Sequence, residues 1–285
     1  SSNDIGKYNV KVGQHHIPFG FATVSSSKYM SFLRRPLFAD GPLQTARQLG
    51  VAFQLNEKSY RWNIIAGWFL DEPHERQTVA VRVTGIPFMT DTKHMLHIGA
   101  SFMNSDPNGD DVRIRQRLLT HLDTSRLLDT GSLGTNVKDI NSLDFELLGI
   151  YGPFYGLIEY VLTNVDDPNG DADFNAWSLE GGWFLTGESK KYDKAAFGSL
   201  SPKNDFGNGG MGAWELALRY ENMDLNDGIY TGGDADVFTA GINWYPVKNI
   251  RFMADYSQVT DFNRISHPDD GKEPSALSFR TQVYW

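Results

Sequence analysis

The chain has 285 residues, no cysteine, and 35 acidic against 26 basic side chains, for a net charge of −9. The length is ample for one large β domain; the missing cysteines exclude disulfide frameworks and thiol chemistry. No run of about eighteen apolar residues is present to cross a membrane as a helix. The mean hydropathy of −0.39 is that of a soluble chain, but strict alternation of apolar and polar residues dilutes the average in the same way.

Residues 5–13 read as a strand, with Tyr8, Val10 and Val12 alternating against Lys7, Asn9 and Lys11. Residues 14–46 break the alternation, carry too many aromatics for a disordered segment, and hold Lys28, Arg34 and Arg35 with Asp40 as the lone acid; Arg47 follows. The segment is read as a loop packed inside something. Strands are predicted at 49–55 and 60–69, joined near Glu57-Lys58, then at 79–85 and 96–102, joined through Pro87 to Asp91. Residues 104–139 are again long and irregular. They open with Asp106-Pro107-Asn108-Gly109-Asp110-Asp111 and continue with arginines at 113, 115 and 117. A hairpin over Gly152-Pro153 joins 143–151 to 156–162, and a second acidic turn, from Asp166 to Asp171, leads to 177–185. Residues 187–212 are glycine-rich and irregular, with Lys190, Lys191, Lys194 and Lys203; strands 214–220, 238–244, 250–256 and 277–285 close the chain.

The polar face of these strands carries full charges in strand after strand, and the apolar face is rich in aromatics near strand ends. Apolar outward, polar inward, with aromatic rims, describes an all-β, antiparallel transmembrane β-barrel in lipid, closed because an open edge would leave backbone groups unsatisfied. About twelve strands are predicted, with short turns at one end and most long loops at the other; 187–212 falls on the short-turn end. Such a barrel is exported, so a leader peptide is expected to have been removed, and N-terminal sequence is expected to be missing. Trp285 reads as a terminal rim aromatic of the kind that serves as an assembly signal. Four windows, 104–111, 165–173, 221–236 and 261–273, carry a net −14, which leaves +5 on the remainder; the acid is assigned to loops.

Several stretches in order resemble the phosphate-selective porin O/P family: Lys11-Val12-Gly13-Gln14 followed by Pro18-Phe19-Gly20; Ser26-Ser27 with Tyr29 and Phe32; the Arg-x-Arg-x-Arg run from Arg113; Gly152-Pro153-Phe154 with Glu159-Tyr160; Phe184 to Glu188 with Tyr192; Gly212 to Tyr220; and Asn243-Trp244-Tyr245-Pro246. The resemblance implies a sixteen-stranded trimeric barrel in the outer membrane of a Gram-negative bacterium, of which this chain matches the C-terminal two-thirds. It implies that 14–46 and 104–139 fold into the lumen, and that 187–212 enters from the periplasmic side. Outer-membrane lipid, lipopolysaccharide and small anions such as phosphate are the partners implied; no nucleic acid and no cofactor are expected.

Arg113, Arg115 and Arg117 are the sharpest candidates. At a spacing of two in an extended chain, the three guanidinium groups project to one side, roughly 7 Å apart. Each forks two donors onto a phosphate and none can lose its charge. The family's arginine ladder maps onto these positions; the alternative is a solvated charged edge paired with loop acids. Arg34 and Arg35, with Lys28 and Arg47, either face a pore or pin the loop to wall acids such as Glu146 or Glu159. His15 and His16 fall near where the family places a lysine in its constriction. Without that lysine a broader anion preference follows, since a neutral imidazole offers no fixed charge. The arginines 61, 82, 219, 251 and 280, with acids 146, 159, 180, 215, 221 and 255, are read as a wall network of salt bridges. His94 and His97 are split between faces and do not form a metal pair. The Asp-Pro-Asn-Gly-Asp turns offer oxygen ligands for calcium, but Pro-Asn-Gly is also ordinary turn chemistry. No catalytic motif is present. The reading is a passive anion porin, not an enzyme. A general or cation-preferring porin with the same barrel is the alternative, and a soluble β-sandwich binding module is the alternative from another class.

Overall fold

The computed structural model describes residues 7–39, 47–57, 59–71, 76–120, 122, 124–168 and 170–284. The predicted roles of Asp40, Lys58 and Trp285 lie outside the described residues. In chain order the strands are β1 (Lys7–His16), β2 (Arg47–Asn56), β3 (Trp62–Asp71), β4 (Arg76–Asp91), β5 (His94–Asp106), β6 (Arg115–Gln116), β7 (Leu128–Asp129), β8 (Asp139–Tyr151), β9 (Phe154–Asp166), β10 (Ala172–Phe184), β11 (Tyr192–Asp193), β12 (Ala196–Phe197), β13 (Ala213–Asp227), β14 (Tyr230–Tyr245), β15 (Ile250–Asn263) and β16 (Ser275–Val283). A four-residue helix, α1 (Phe21–Val24), follows β1. Twelve strands form one antiparallel sheet, ordered β1-β2-β3-β4-β5-β8-β9-β10-β13-β14-β15-β16, while β6 pairs with β7 and β11 with β12. All twelve predicted strands are present. β1 and β16 are the two ends of this order.

The faces are sorted as the alternation requires. Along β8, Ser142, Asp144, Glu146 and Leu148 are buried while Leu143, Phe145 and Leu147 are exposed. The largest fully buried side chains include Arg219 and Arg251, and Trp62, Trp68 and Trp183 are 38%, 43% and 45% exposed. A soluble sandwich would show the reverse, so that alternative is excluded: charge is inside and the apolar girdle faces outward, as in a barrel whose solvent is lipid. The sheet curls round residues 17–39, which touch β5 through Ser101, β9 through Glu159, β13 through Glu215 and β16 through Arg280.

Strand ends depart from prediction in several places. β1 runs on to His16 and pairs there with Arg47, so residues 14–16, read as the start of a loop, are strand. The acidic window 221–236 is not a loop. β13 and β14 are 15 and 16 residues long and pair down to Asp227 and Tyr230. Only Gly228 and Ile229 turn, with Gly228 at φ 54, a left-handed conformation that favours glycine. The acids are accommodated on the ladder: Asn222 Nδ2 donates to Asp236 across the strands at 2.9 Å, and Glu221 points inward and is buried. Likewise, residues 87–91 are not a turn but the end of β4. Register shifts at Gly85/Phe88 and Met89/Asp91 take up Pro87, which has no N–H for the ladder, and the turn falls at Thr92-Lys93.

Leu218 is 56% exposed on the outward face of β13. Leu218→Arg is expected to lower folding stability in lipid vesicles by roughly 2–4 kcal/mol if this position sits at mid-membrane, while Leu218→Phe leaves it unchanged. Denaturant titration in vesicles followed by tryptophan fluorescence reads both.

Candidate functional site: the charged lumen

Residues 17–39 run across the inner face of the sheet without pairing into it. Their backbone is held by wall side chains. Arg219 Nη1 donates to the Arg34 carbonyl at 2.9 Å, Arg251 Nη1 to Met30 O at 2.5 Å, Arg280 Nη2 to Leu33 O at 2.7 Å and Asn243 Nδ2 to Ser31 O at 2.8 Å. Acids take the N–H groups: Glu159 accepts from Ala22 at 3.0 Å, Asp255 from Leu33 at 2.6 Å and Glu221 from Leu37 at 2.7 Å. The wall charges predicted to pair mainly with one another therefore serve in large part as a cradle for this segment. Arg82 with Glu146 and Arg219 with Glu221 are wall pairs as expected. Arg61 lies outside the network, exposed before β3, with its guanidinium toward Met89 O.

A second inward segment rises from the opposite end, between β10 and β13. Lys190 is buried, 3.1 Å from Glu215, with its ammonium 4.8 and 4.7 Å from the Tyr155 and Phe197 ring centroids. Glu215 also accepts from Ser31 at 2.6 Å and Tyr245 at 2.8 Å, so one buried carboxylate ties both segments to the wall. Phe197 meets Phe21 edge to face at 4.8 Å, and Phe197 N donates to Ser25 Oγ.

Of the predicted site residues, Arg34 is 8% exposed and bound to Glu221 at 2.5 Å. This is the pinning alternative, with Glu221 as the acid instead of Glu146 or Glu159. Arg35 donates to the Ala22 carbonyl within the same segment. Lys28 is exposed, and its carbonyl accepts from Gln282. Arg113, Arg115 and Arg117 do project to one side, since Val112, Ile114, Gln116 and Leu118 between and beside them are buried. They are not equivalent. Arg113 forks onto Asp129, at 2.7 and 2.5 Å. Burial opposes ionisation of Asp129, but the Arg113 hydrogen bonds, the Gly131 N–H and the charges of Arg113 and Arg264 outweigh it and hold the carboxyl below its usual range. Arg115 is exposed on β6. Arg126, which carried no sequence signal, joins Arg115 and Arg117: burial, then the charges of Arg117 and Arg115, push its ionisation down. Guanidinium keeps its charge regardless, so the three form a crowded cationic group.

Arg47 and His16 are paired across β1 and β2. They line a cavity of about 440 Å³ with Lys11, His15, Arg82 and Lys194, and no carboxylate lines it among the described residues. Arg82 is anchored there by a fork onto Glu146, at 2.9 and 3.1 Å, and by Ala195 O at 2.8 Å. Lys194, at the tip between β11 and β12, comes from the second inward segment. A cavity of about 320 Å³ towards the long-loop end contains Arg76, Arg113 and Arg115, but Asp71 and Asp106 as well. One of about 300 Å³ at the short-turn end contains Lys93, Lys190, Lys191 and Lys203 with Glu188.

His94 bonds Asp91 at 3.0 Å, whereas His97 is buried with Nδ1 2.8 Å from the Tyr192 hydroxyl, so the two stand apart. Asp144, Glu146 and Glu159 each bring an oxygen within 4.8 Å of the others, but Glu146 is forked by Arg82 and Glu159 takes the Ala22 N–H. In the first acidic turn, Asp106 accepts from Asn108 N at 2.8 Å and Asp110 pairs with Arg76 at 2.9 Å, which is turn chemistry and ion pairing. In the second, residue 169 lies outside the described residues.

A curled antiparallel sheet with a charged interior, an apolar exterior and inward-folded segments defines an outer-membrane β-barrel. Among solved structures the chain is similar to OmpT, an outer membrane protein of Vibrio cholerae in trimer form, at 14% identity and a TM-score of 0.59, covering 99% of this chain and 78% of that one. It is similar also to an OmpT loop L8 deletion mutant, at 13% and 0.57, covering 99% and 76%. In sequence it is 27% identical over 270 residues to an uncharacterized protein of Caulobacter vibrioides, covering 88% of this chain and 53% of that protein. It is 25% identical over 299 residues to Porin O of Pseudomonas aeruginosa, covering 92% and 67%. The chain thus spans about half to two-thirds of the length of these relatives. The family described as phosphate-selective porin O and P matches residues 4–285, and the chain belongs to it. Its location is the outer membrane of a Gram-negative bacterium, and its family is one of channels, not enzymes.

Glu221→Ala removes the partner of buried Arg34 and the acceptor of Leu37 N. It is expected to cost roughly 3–5 kcal/mol and to open 31–37 to protease, while Glu221→Gln, which keeps an acceptor, costs less. Denaturant midpoints and limited proteolysis distinguish the two.

Proposed function

We propose that the protein is a passive outer-membrane porin that conducts anions, with phosphate or pyrophosphate as the preferred class, and that it works as a homotrimer. The observation that carries this reading is the lining of the cavity of about 440 Å³ against β1–β4: four fixed cations, two imidazoles and no carboxylate among the described residues. Arg82 is forked onto Glu146, which leaves Lys11, Arg47 and Lys194: a cation without an acid partner in a lumen of low dielectric attracts an anion far more strongly than one in a salt bridge. The path runs from Arg115, Arg117 and Arg126 near the outer mouth, past Arg47, Arg82 and Lys194, to the lysines at the periplasmic end. Each station holds an oxyanion by forked or single donors, and the spacing lets it pass to the next. Arg113, neutralised by Asp129, orders the outer segment, and Arg34 pins the inner one; neither serves as a station. The relative named Porin O, and the trimer form of the Vibrio cholerae neighbour, support the class and the assembly.

In planar bilayers with a KCl gradient, the reversal potential is expected to have the sign of anion preference; the opposite sign overturns the reading in favour of a cation-preferring pore. Arg115→Ala with Arg117→Ala is expected to lower chloride conductance and raise the phosphate concentration for half-block about tenfold, the scale of a lost charge-assisted hydrogen bond. Arg113→Ala is expected instead to act through stability.

A further inference from the structure

The second inward segment carries the hairpin of β11 and β12, where Asp193 pairs with Ala196 and Gly198 N donates to Lys191 O at 2.8 Å. The turn residues between them are Lys194, at φ 51, and Ala195, at φ 61. A hairpin turn with positive φ at both central positions is ordinarily built from Asn and Gly, because a Cβ in the left-handed region crowds the following carbonyl. Lysine and alanine hold a strained conformation there, and such strain persists only where the surroundings fix it. Here they do so at three points. Ala195 is fully buried, and its carbonyl accepts from Arg82 Nη2 at 2.8 Å. The Tyr192 hydroxyl bonds His97 Nδ1 at 2.8 Å, and His97 Nε2 lies 3.4 Å from Glu146, the carboxylate that Arg82 forks. Phe197 packs on Phe21, and its N–H donates to Ser25 Oγ.

The Lys194 side chain is left outside this grip. It is exposed and lines the cavity of about 440 Å³, and no hydrogen bond or ion pair holds its ammonium among the described residues. Asp193 beside it does not line the cavity. Resting on the anion-pore reading above, we infer that this hairpin is the selectivity element of the pore: Lys194 is the cation that sets the preference for anions, and Arg82, by gripping Ala195, is the residue that positions it. Lys11 and Arg47 line the same cavity from β1 and β2, where their places follow from the alternation of the sheet. Lys194 reaches it only because a turn that resists its backbone conformation is held closed. Arg82 has Nε and Nη2 committed to Glu146 and the Ala195 carbonyl, so its further part is to hold that turn in place.

Asparagine separates charge from conformation at this position, since it is neutral yet tolerates the left-handed region. In planar bilayers, Lys194→Asn is expected to raise the half-blocking phosphate concentration about tenfold, the scale of a lost charge-assisted hydrogen bond. It is expected to shrink the reversal potential in a KCl gradient as well, with no loss of stability to denaturant. Lys194→Arg is expected to recover most of what Lys194→Asn loses. The chain has no cysteine, so Lys194→Cys offers a single thiol. A methanethiosulfonate bearing ethylammonium is expected to restore the anion preference of that variant, and one bearing ethylsulfonate to drive it further toward cations. Arg82→Lys keeps the charge but cannot span Glu146 and the Ala195 carbonyl together. It is expected to weaken phosphate block, and adding Lys194→Asn to it is expected to have a smaller effect than Lys194→Asn has alone. Arg82→Gln is read in the same cycle should Arg82→Lys fail to insert. A wild type that prefers anions, with Lys194→Asn no different from it, overturns this inference alone. So does a thiol at 194 whose modification shifts the preference alike for either reagent charge. Additive effects at 82 and 194 overturn the positioning role of Arg82. A wild type without anion preference overturns the pore reading beneath.

Discussion

The backbone of residues 17–39 has no sheet to pair with, and it lies inside a barrel. Each N–H and C=O in that position needs a partner, because an unmet buried group costs as much as a lost hydrogen bond or more. The wall supplies side chains where a sheet would supply backbone. Arginines at 219, 251 and 280 take the carbonyls of Arg34, Met30 and Leu33, while Glu159, Asp255 and Glu221 take the amides of Ala22, Leu33 and Leu37. This explains why the inner face carries full charges where neutral polar residues would suffice for a wet lining. A guanidinium reaches further than a hydroxyl and donates several bonds at fixed angles.

The same arrangement divides the lumen. On the β13–β16 side, acids and arginines satisfy one another and the segment between them, so little charge is left over. On the β1–β4 side the segment's end, the second inward segment and the first strands converge; Arg82 there is forked onto Glu146, while no carboxylate lines the cavity that it shares with Lys11, Arg47 and Lys194 among the described residues. The second segment matters to both sides: Lys190 locks it to Glu215, and that lock holds Lys194 at the cavity. Position and electrostatics are thus coupled through one buried carboxylate.

How far the sequence foretold this depends on the range of the interaction. The period-two alternation is local, and all twelve strands followed from it, including which face of each is charged. Strand ends were less legible. Between 221 and 236 the acids look like a loop, because composition does not report that Glu221 meets Arg34 or that Asn222 meets Asp236 across a ladder. The one-sided projection of 113, 115 and 117 was readable from parity alone. The difference between them was not, since Asp129 comes back to Arg113 through an irregular turn, and Arg126 has no pattern of its own. For Arg34 the residues left pore and pin equally open; its burial beside Glu221 has no local signature. The convergence of His16, Arg47 and Lys194 brings together segments that enter from opposite ends of the barrel, and no local spacing encodes that.

The net charge of −9 illustrates how little a sum says about a channel. Acid that is forked by arginine, or that accepts a backbone N–H, projects little field into the lumen. Selectivity answers to the charges that remain without partners where the passage is narrowest. In this chain many carboxylates act by fixing the inward segments: Glu215 holds Lys190, Glu221 holds Arg34, and Glu159 and Asp255 take backbone N–H groups of residues 17–39. An acidic protein can in this way present a basic lumen, with its acids as the scaffold that makes the basic site rigid.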